Sequence, residues 1–310
     1  MNIALLEPIG ISKEEVLKLS KPLRDAGHNF TYYENKTTDI EELIKRSIDQ
    51  DVVMIANNPY PKAVIEKANR LKMIAVAFTG IDHVDEAYCK ERGIEILNCA
   101  GYSDVAVSEL VIGLTIELFR KVKQGDIATR NEGTSLGLIG NEIAGKTVGI
   151  IGLGHIGTKT AKLFKAFDAR VIAYNRSDKA EFNELGIERV DLDTLLKESD
   201  IISLHLPNNS ETKGFISKEK IELMKKSAIF INCARGPIVD NVALAEALNN
   251  ERIAGAAIDV FDYEPPLAKD YPLVNAKNII LTPHVAFLTK EAMVKRAHIE
   301  FNNVISYVNK

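Results

Sequence analysis

Cysteine is scarce in this sequence: Cys89, Cys99 and Cys233 are the only three in 310 residues. They are too few and too scattered for a disulfide framework, and none forms the C-x-x-C pair that metal or redox sites favour. A reducing, cytoplasmic setting and no metal centre are therefore expected. An excess of one charge is lacking too. Lys+Arg 39 against Asp+Glu 43 leaves a net charge of −4, so no global positive field draws in nucleic acid or an anionic membrane. An anionic ligand would need locally placed cations. No apolar run reaches the roughly 18 residues of a membrane span. Residues 1–10 hold Glu7 and no Lys or Arg ahead of a hydrophobic stretch, so neither export nor membrane insertion is expected.

What is present can build a large core. Hydrophobic residues make up 46% and charged residues 26% of the chain, and at roughly 100 to 200 residues per domain the length favours two domains. Strands are expected at 3–6, 29–33, 52–55, 73–77 and 95–97, with Ser12 capping a first helix and others near 40–48, 62–70 and 85–92. Such repeated βα units imply a parallel sheet with helices on both faces. From Tyr102 a long apolar-periodic helix runs through Leu110, Leu114 and Leu118, followed by a Gly-rich polar stretch at 125–140. Six further strand signals follow, at 147–151, 171–174, 201–204, 229–232, 256–260 and 279–282, and 290–308 is helical again. A terminal helix commonly packs back on the domain it left. The first domain is therefore read as discontinuous, 1–101 plus 286–310, around an inserted domain at 102–285.

The strand signal at 147–151 leads straight into Gly152-Leu153-Gly154-His155-Ile156-Gly157, and 158–167 continues as an amphipathic helix. Gly152 permits the tight turn, Gly154 lets a pyrophosphate approach the backbone, and Gly157 lets helix and strand pack closely. The backbone N–H groups at His155 and Ile156 would face the phosphates at the helix start. A bare G-x-G-x-x-G is weak, but the strand before it and the helix after it make it a dinucleotide signature. The fold class expected is α/β with two doubly wound parallel-sheet domains, a flavodoxin-like substrate domain and a Rossmann cofactor domain.

The end of the next strand decides which dinucleotide. An NAD site usually carries Asp or Glu about 20 residues on, to accept the ribose 2′-OH. Asn175-Arg176-Ser177 stands there instead. The missing carboxylate removes repulsion toward a 2′-phosphate, and the guanidinium and hydroxyl suit its oxygens. NADP(H) is therefore expected over NAD(H). The competing reading has Arg176 as a solvated cation and Asp178 turned toward the ribose of NAD.

Three polar residues follow strands of the second domain, at the carboxyl edge where open α/β sheets bind ligands. They are Arg235 after 229–232, Glu264 after 256–260 and His284 after 279–282. Arg holds a carboxylate in two-pronged fashion, and a His backed by a carboxylate is a proton donor. With a nicotinamide these groups suffice to reduce a 2-keto acid. Singly, each has an ordinary explanation as a surface or loop residue.

The motifs resemble those of the D-isomer-specific 2-hydroxyacid dehydrogenase family. The likeness rests on the glycine loop, His205-Leu206-Pro207 with Thr212, Asn232-Cys233-Ala234-Arg235-Gly236, Asp259-Val260-Phe261 with Glu264-Pro265, and Thr282-Pro283-His284. It extends from Gly80-Ile81-Asp82-His83-Val84-Asp85 to Ala286. The resemblance implies that Arg235 binds substrate carboxylate and carbonyl, His284 is the acid/base, Glu264 is its partner, and Asp259 contacts the nicotinamide carboxamide. Leu206, Pro207, Thr212, Cys233 and Ala234 would adjoin the cofactor. Phe78 and the Thr79 and Gly80 backbone amides would hold the substrate carboxylate from the other domain, with the site in the interdomain cleft. The Asn175-Arg176-Ser177 departure resembles NADP-using glyoxylate and hydroxypyruvate reductases. His205 and His155 are not expected to act through their rings, and Cys233 is expected to be a small packed residue. A phosphorylated-acid dehydrogenase is the first alternative, disfavoured because Pro8-Ile9-Gly10, Asn57-Asn58-Pro59 and Phe78-Thr79 hold no Arg or Lys. A nucleotide-sensing, corepressor-like binding protein is the second. The expected partners are a small 2-keto or 2-hydroxy acid and a second copy of the chain, paired around the long apolar helix and the stretch after it.

Overall fold

The computed structural model describes all 310 residues, which divide into two compact units: Met1–Ser103 with Leu288–Lys310, and Asp104–Phe287. In the first unit five parallel strands run in the order β2-β1-β3-β4-β5. They are β1 (Asn2–Leu5), β2 (Asn29–Tyr32), β3 (Val52–Ile55), β4 (Met73–Val76) and β5 (Glu95–Asn98). Every residue of β3 and β4 is buried, as expected where helices cover both faces, whereas the edge strand β2 alternates exposed and half-buried positions. The terminal helix Lys290–Val308 closes this unit. Thr289 caps it, its hydroxyl accepting from the Ala292 N–H at 3.1 Å, a contact worth about 1 kcal/mol. Its buried face carries Met293, Arg296, Ala297, Glu300, Phe301 and Val304, a three-to-four-residue spacing into which two ionisable groups are set.

The second unit is a seven-stranded parallel sheet in the order β12-β11-β10-β9-β6-β7-β8. Its strands are β6 (Thr147–Ile151), β7 (Arg170–Tyr174), β8 (Glu188–Arg189), β9 (Ile201–Leu204), β10 (Ile229–Asn232), β11 (Gly255–Ile258) and β12 (Ile279–Leu281). Successive strand residues point to opposite faces, and the core divides accordingly. Ile151, Ile172, Ile202, Phe230 and Ile258 belong to one cluster, and Ile150, Val171, Ile201, Ile231 and Ala257 to the other. Complete burial of one such side chain contributes roughly 1.5 to 3 kcal/mol.

One local expectation needs correction. The sheet has a seventh strand, β8, whose two residues are both exposed and therefore carry no hydrophobic signal. The Gly-rich stretch at 125–140 begins inside a second helix, Val122–Arg130, set off from the Asp104–Arg120 helix by Lys121 at φ 50. The long helix also buries Val107, Val111, Ile112, Leu114 and Phe119 within its own unit. Its apolar character is largely used there. No helix is long and apolar enough to cross a membrane.

Candidate active site

The strand order reverses between β6 and β9, and the glycine loop lies at that switch point. Gly152 has φ +99, and a Cβ there would stand 2.6 Å from the His205 carbonyl oxygen. A Cβ on Gly157 would stand 2.0 Å from the Gly152 carbonyl oxygen. Both positions exclude any side chain. Gly154 differs, for a Cβ there would meet nothing within 4 Å, and no side chain caps the His155–Ala166 helix that it begins. An open approach to uncapped N–H groups at the start of a 12-residue helix fits a dinucleotide pyrophosphate. The His155 side chain points outward, with Nδ1 3.7 Å from Asp104, and Ile156 lies against the core.

Beyond β7, Asn175 ties two loops together. Its Oδ1 accepts from the Leu153 N–H at 3.0 Å, and its Nδ2 donates to the Ser177 carbonyl at 2.8 Å. The exposed Arg176 is paired with Glu211 from the loop after β9. Asp178 lies 3.5 Å from Arg189, whose guanidinium also donates to the Asn175 and Arg176 carbonyls, each at 3.3 Å. Arg189, on the unpredicted β8, is thus a second cation at this loop.

The carboxyl ends of β10, β11 and β12 are linked in series. The Asp259 N–H donates to the Asn232 carbonyl at 3.0 Å, and the His284 N–H donates to the Asp259 carbonyl at 2.9 Å. A Cβ on Gly236 would lie 2.0 Å from Phe261 backbone atoms, so the turn carrying Arg235 packs directly on the loop leading to Glu264. Asn232 shapes that turn, accepting from the Ala234 N–H at 2.9 Å and donating to the Arg235 carbonyl at 3.0 Å. His284 Nδ1 lies 2.8 and 3.0 Å from the two Glu264 oxygens. Phe287 stands edge-on to the His284 ring at 5.1 Å, a neighbour that nothing in the sequence signalled. Glu264 sits in a loop. Asn241 and Tyr271 both donate to Asp262, two residues before Glu264, at 2.9 and 2.8 Å.

Asp259 is fully buried, and its carboxylate accepts from the Thr282 hydroxyl and from the Val285 and Ala286 N–H groups at 2.6 to 2.9 Å. It clamps the loop that presents His284. Burial pushes its carboxyl up even against those donors. Burial also pushes the Cys233 thiol well up, with Asp259 adding to the effect, so no thiolate forms there. The His205 ring bonds to the Ser203 hydroxyl at 2.9 Å, and desolvation pushes it down to about 4. It stays neutral in the working range and is apart from the His284–Glu264 pair. Leu206 and Ala234 pack against the core, Pro207 accepts from the Thr212 hydroxyl at 2.6 Å, and the loops from Ser177 to His284 follow one another along a single sheet edge. Three strand steps, β7 to β10, span about 14 Å at ~4.8 Å each.

In the first unit Phe78, Thr79 and Gly80 follow β4. Phe78 is buried, the Thr79 carbonyl accepts from the Asn98 side chain at 2.7 Å, and the Thr79 and Gly80 amides have no acceptor within the chain. Lys36, from the loop after β2, donates to the Asn57 side chain at 2.6 Å, so this edge does hold a cation. Lys36 lies outside the segments read from the sequence.

Residues 112–286 match the NAD binding domain of the D-isomer specific 2-hydroxyacid dehydrogenases. The chain belongs to this family. D-isomer specific 2-hydroxyacid dehydrogenases are NAD(P)-dependent oxidoreductases acting on CH–OH donors. A glyoxylate reductase of Thermofilum pendens is 37% identical over 274 residues, 86% of this chain and 80% of that protein. A D-3-phosphoglycerate dehydrogenase of Methanocaldococcus jannaschii is 41% identical over 256 residues, 81% of this chain but 48% of its own length. The chain thus matches about half of that relative. Among solved structures, an acyclic imino acid reductase in complex with NADPH and D-Arg superposes with a TM-score of 0.90 at 32% identity, covering 100% of this chain and 97% of the other.

Proposed function

We propose that this chain is an NADP(H)-preferring D-2-hydroxyacid dehydrogenase that works mostly as a 2-keto acid reductase. The observation that carries the reading is the His284–Glu264 pair on the loops neighbouring Arg235, along the sheet edge that also bears the glycine loop. Gly152, Gly154, His155, Ile156 and Gly157 hold the pyrophosphate, and Asn175, Arg176 and Ser177 the ribose end. Leu206, Pro207, Thr212, Cys233 and Ala234 adjoin the nicotinamide. Asp259 reaches its carboxamide only by sharing Oδ2, which already takes the Ala286 N–H. When bound, the reduced nicotinamide supplies a hydride to the substrate carbon C2.

The chain's own groups do the rest. Glu264 on Nδ1 fixes the ring so that Nε2 delivers the proton to the carbonyl oxygen. Arg235 offsets the negative charge developing on that oxygen and holds the carboxylate. Phe78 and the Thr79 and Gly80 amides take the carboxylate from the first unit. The working protein is a cytoplasmic homodimer in this reading.

A phosphorylated substrate is the second reading, favoured by Lys36 at the first unit's ligand edge and by the 41% identical phosphoglycerate dehydrogenase. Steady-state rates with glyoxylate, pyruvate, hydroxypyruvate and phosphohydroxypyruvate, each with NADPH and NADH, test both. Turnover of the first three with NADPH supports the main reading, and turnover of the last alone supports the second. No turnover of any, with cofactor bound, points to a nucleotide-sensing role instead.

A further inference from the structure

One side chain of the terminal helix joins the loops at the carboxyl edge of the first unit's sheet. Arg296 Nη2 donates to the Ile9 carbonyl, after β1, at 2.6 Å. Its guanidinium carbon lies 4.9 Å from the Phe78 ring centre, after β4, and 5.8 Å from that of Tyr102, after β5. The two rings meet edge to face at 6.1 Å. The Arg296 carbonyl accepts from the Cys99 thiol at 3.6 Å. A Cβ on Gly10, at φ +80, would come within 3.4 Å of Nη2, so the chain turns there with no side chain.

Two buried carboxyls accompany this cation. Glu7 accepts from the Ala56 and Asn58 N–H groups, each at 2.8 Å, which brings in the loop after β3. Glu300 lies one turn along the helix and is fully buried, and no hydrogen-bond donor reaches either of its oxygens. Burial pushes both carboxyls up, while Arg296 opposes the shift in each. Such a buried charged group is weak evidence for stability, since an apolar side chain of similar volume often serves as well or better. Its geometric effect is specific, because a planar guanidinium stacks on a ring and bonds a carbonyl at once.

We propose that Arg296 is a positioning residue for the substrate: it holds the Phe78-Thr79-Gly80 turn in the one arrangement that presents the Thr79 and Gly80 amides to the substrate carboxylate. This rests on the assignment of that turn as a carboxylate site under the proposed function. Arg296 is 4% exposed and acts on this turn through the Phe78 ring on which it stacks.

The test compares full-length wild type with Arg296→Lys, Arg296→Met, and Arg296→Met combined with Glu300→Gln. The double variant also removes the Glu300 carboxyl that would be left without Arg296, should the single one fail to fold. KM for the best keto acid is expected to rise about ten- to a hundredfold in the Met variants, with a smaller change in kcat and unchanged NADPH affinity by fluorescence titration. Arg296→Lys should recover part of the loss. Amide hydrogen exchange at 77–81 should quicken in the Met variants while β3 stays protected, a readout that needs no turnover. Unchanged KM in a folded Met variant overturns the proposal. If wild type reduces no keto acid, the proposed function fails, and the exchange alone decides: faster exchange at 77–81 supports the positioning role and unchanged exchange overturns it.

Discussion

Glu264 grips His284 Nδ1 through both carboxylate oxygens, at 2.8 and 3.0 Å, while the His284 backbone sits in the left-handed region at φ 55. A non-glycine residue held there costs on the order of 1 kcal/mol or more. The N–H groups of Val285 and Ala286, just after His284, donate to the Asp259 carboxylate and keep the loop in place. The ring is thus located by a strained turn, a buried clamp and a charged partner. Glu264→Gln keeps one acceptor oxygen for Nδ1 but replaces the other with an amide that cannot accept. The reductive kcat is expected to fall by roughly tenfold, with cofactor affinity unchanged, as steady-state kinetics and titration can check. An unchanged kcat would sink the partner role.

Cofactor choice hangs on Arg176. Arg176→Ala should weaken NADPH binding by roughly tenfold and leave NADH almost unaffected. The effect stays modest because Arg176 is exposed and already paired with Glu211. Adding Asn175→Asp should go further, since it repels a 2′-phosphate while keeping an acceptor for the Leu153 N–H. Fluorescence titration of both cofactors checks this. Equal weakening of both, or tighter NADH binding by wild type, ends the case for NADP preference.

The buried carboxyl of Glu300 gives a pH dependence with a definite sign. Burial raises it well above the ordinary carboxylate range. The folded chain therefore keeps a proton that the unfolded chain releases above about pH 4.5. The stability this contributes is fully present in acid and is lost as pH rises toward the folded value. Wild type should lose thermal stability more steeply as pH rises above about 5 than Glu300→Gln, which cannot titrate. Parallel melting curves across that range would contradict the assignment.

Much of this architecture was legible because its strands are short apolar runs. β3, β6, β9 and β10 begin and end where the residue pattern places them. Strands buried on both faces advertise themselves, whereas β8 is Glu188-Arg189 at a solvent edge and does not. The glycine loop was readable for the same local reason, since strand, turn and helix are contiguous. Arg189, Lys36, Phe287 and Arg296 were not readable. Arg189, Lys36 and Arg296 each reach their loop from a different strand, loop or helix, and single-residue spacing carries no trace of that; Phe287 lies in the His284 loop itself, but its ring contact depends on how that loop turns. Arg296 even occupies the buried face of a helix, where a hydrophobic residue is the ordinary expectation.

Assembly makes a fourth test. With the long helix's apolar face largely used inside its own unit, the exposed apolar groups lie further along, at Val122, Ile127, Leu136 and Ile139, the last two 91% and 89% exposed. A homodimer covering this segment is expected to show a dimer mass in light scattering. Leu136→Asp with Ile139→Asp should shift that mass to monomer. A concentration-independent monomer mass for wild type would refute the pairing.

The most direct measurement is the rate of NADPH oxidation driven by a 2-keto acid in wild type and in His284→Ala, with cofactor affinity measured alongside. Wild type should turn over, and the variant should bind NADPH normally while losing about a hundredfold or more in rate, the usual worth of a positioned proton donor. Near wild-type turnover without His284 would contradict the account.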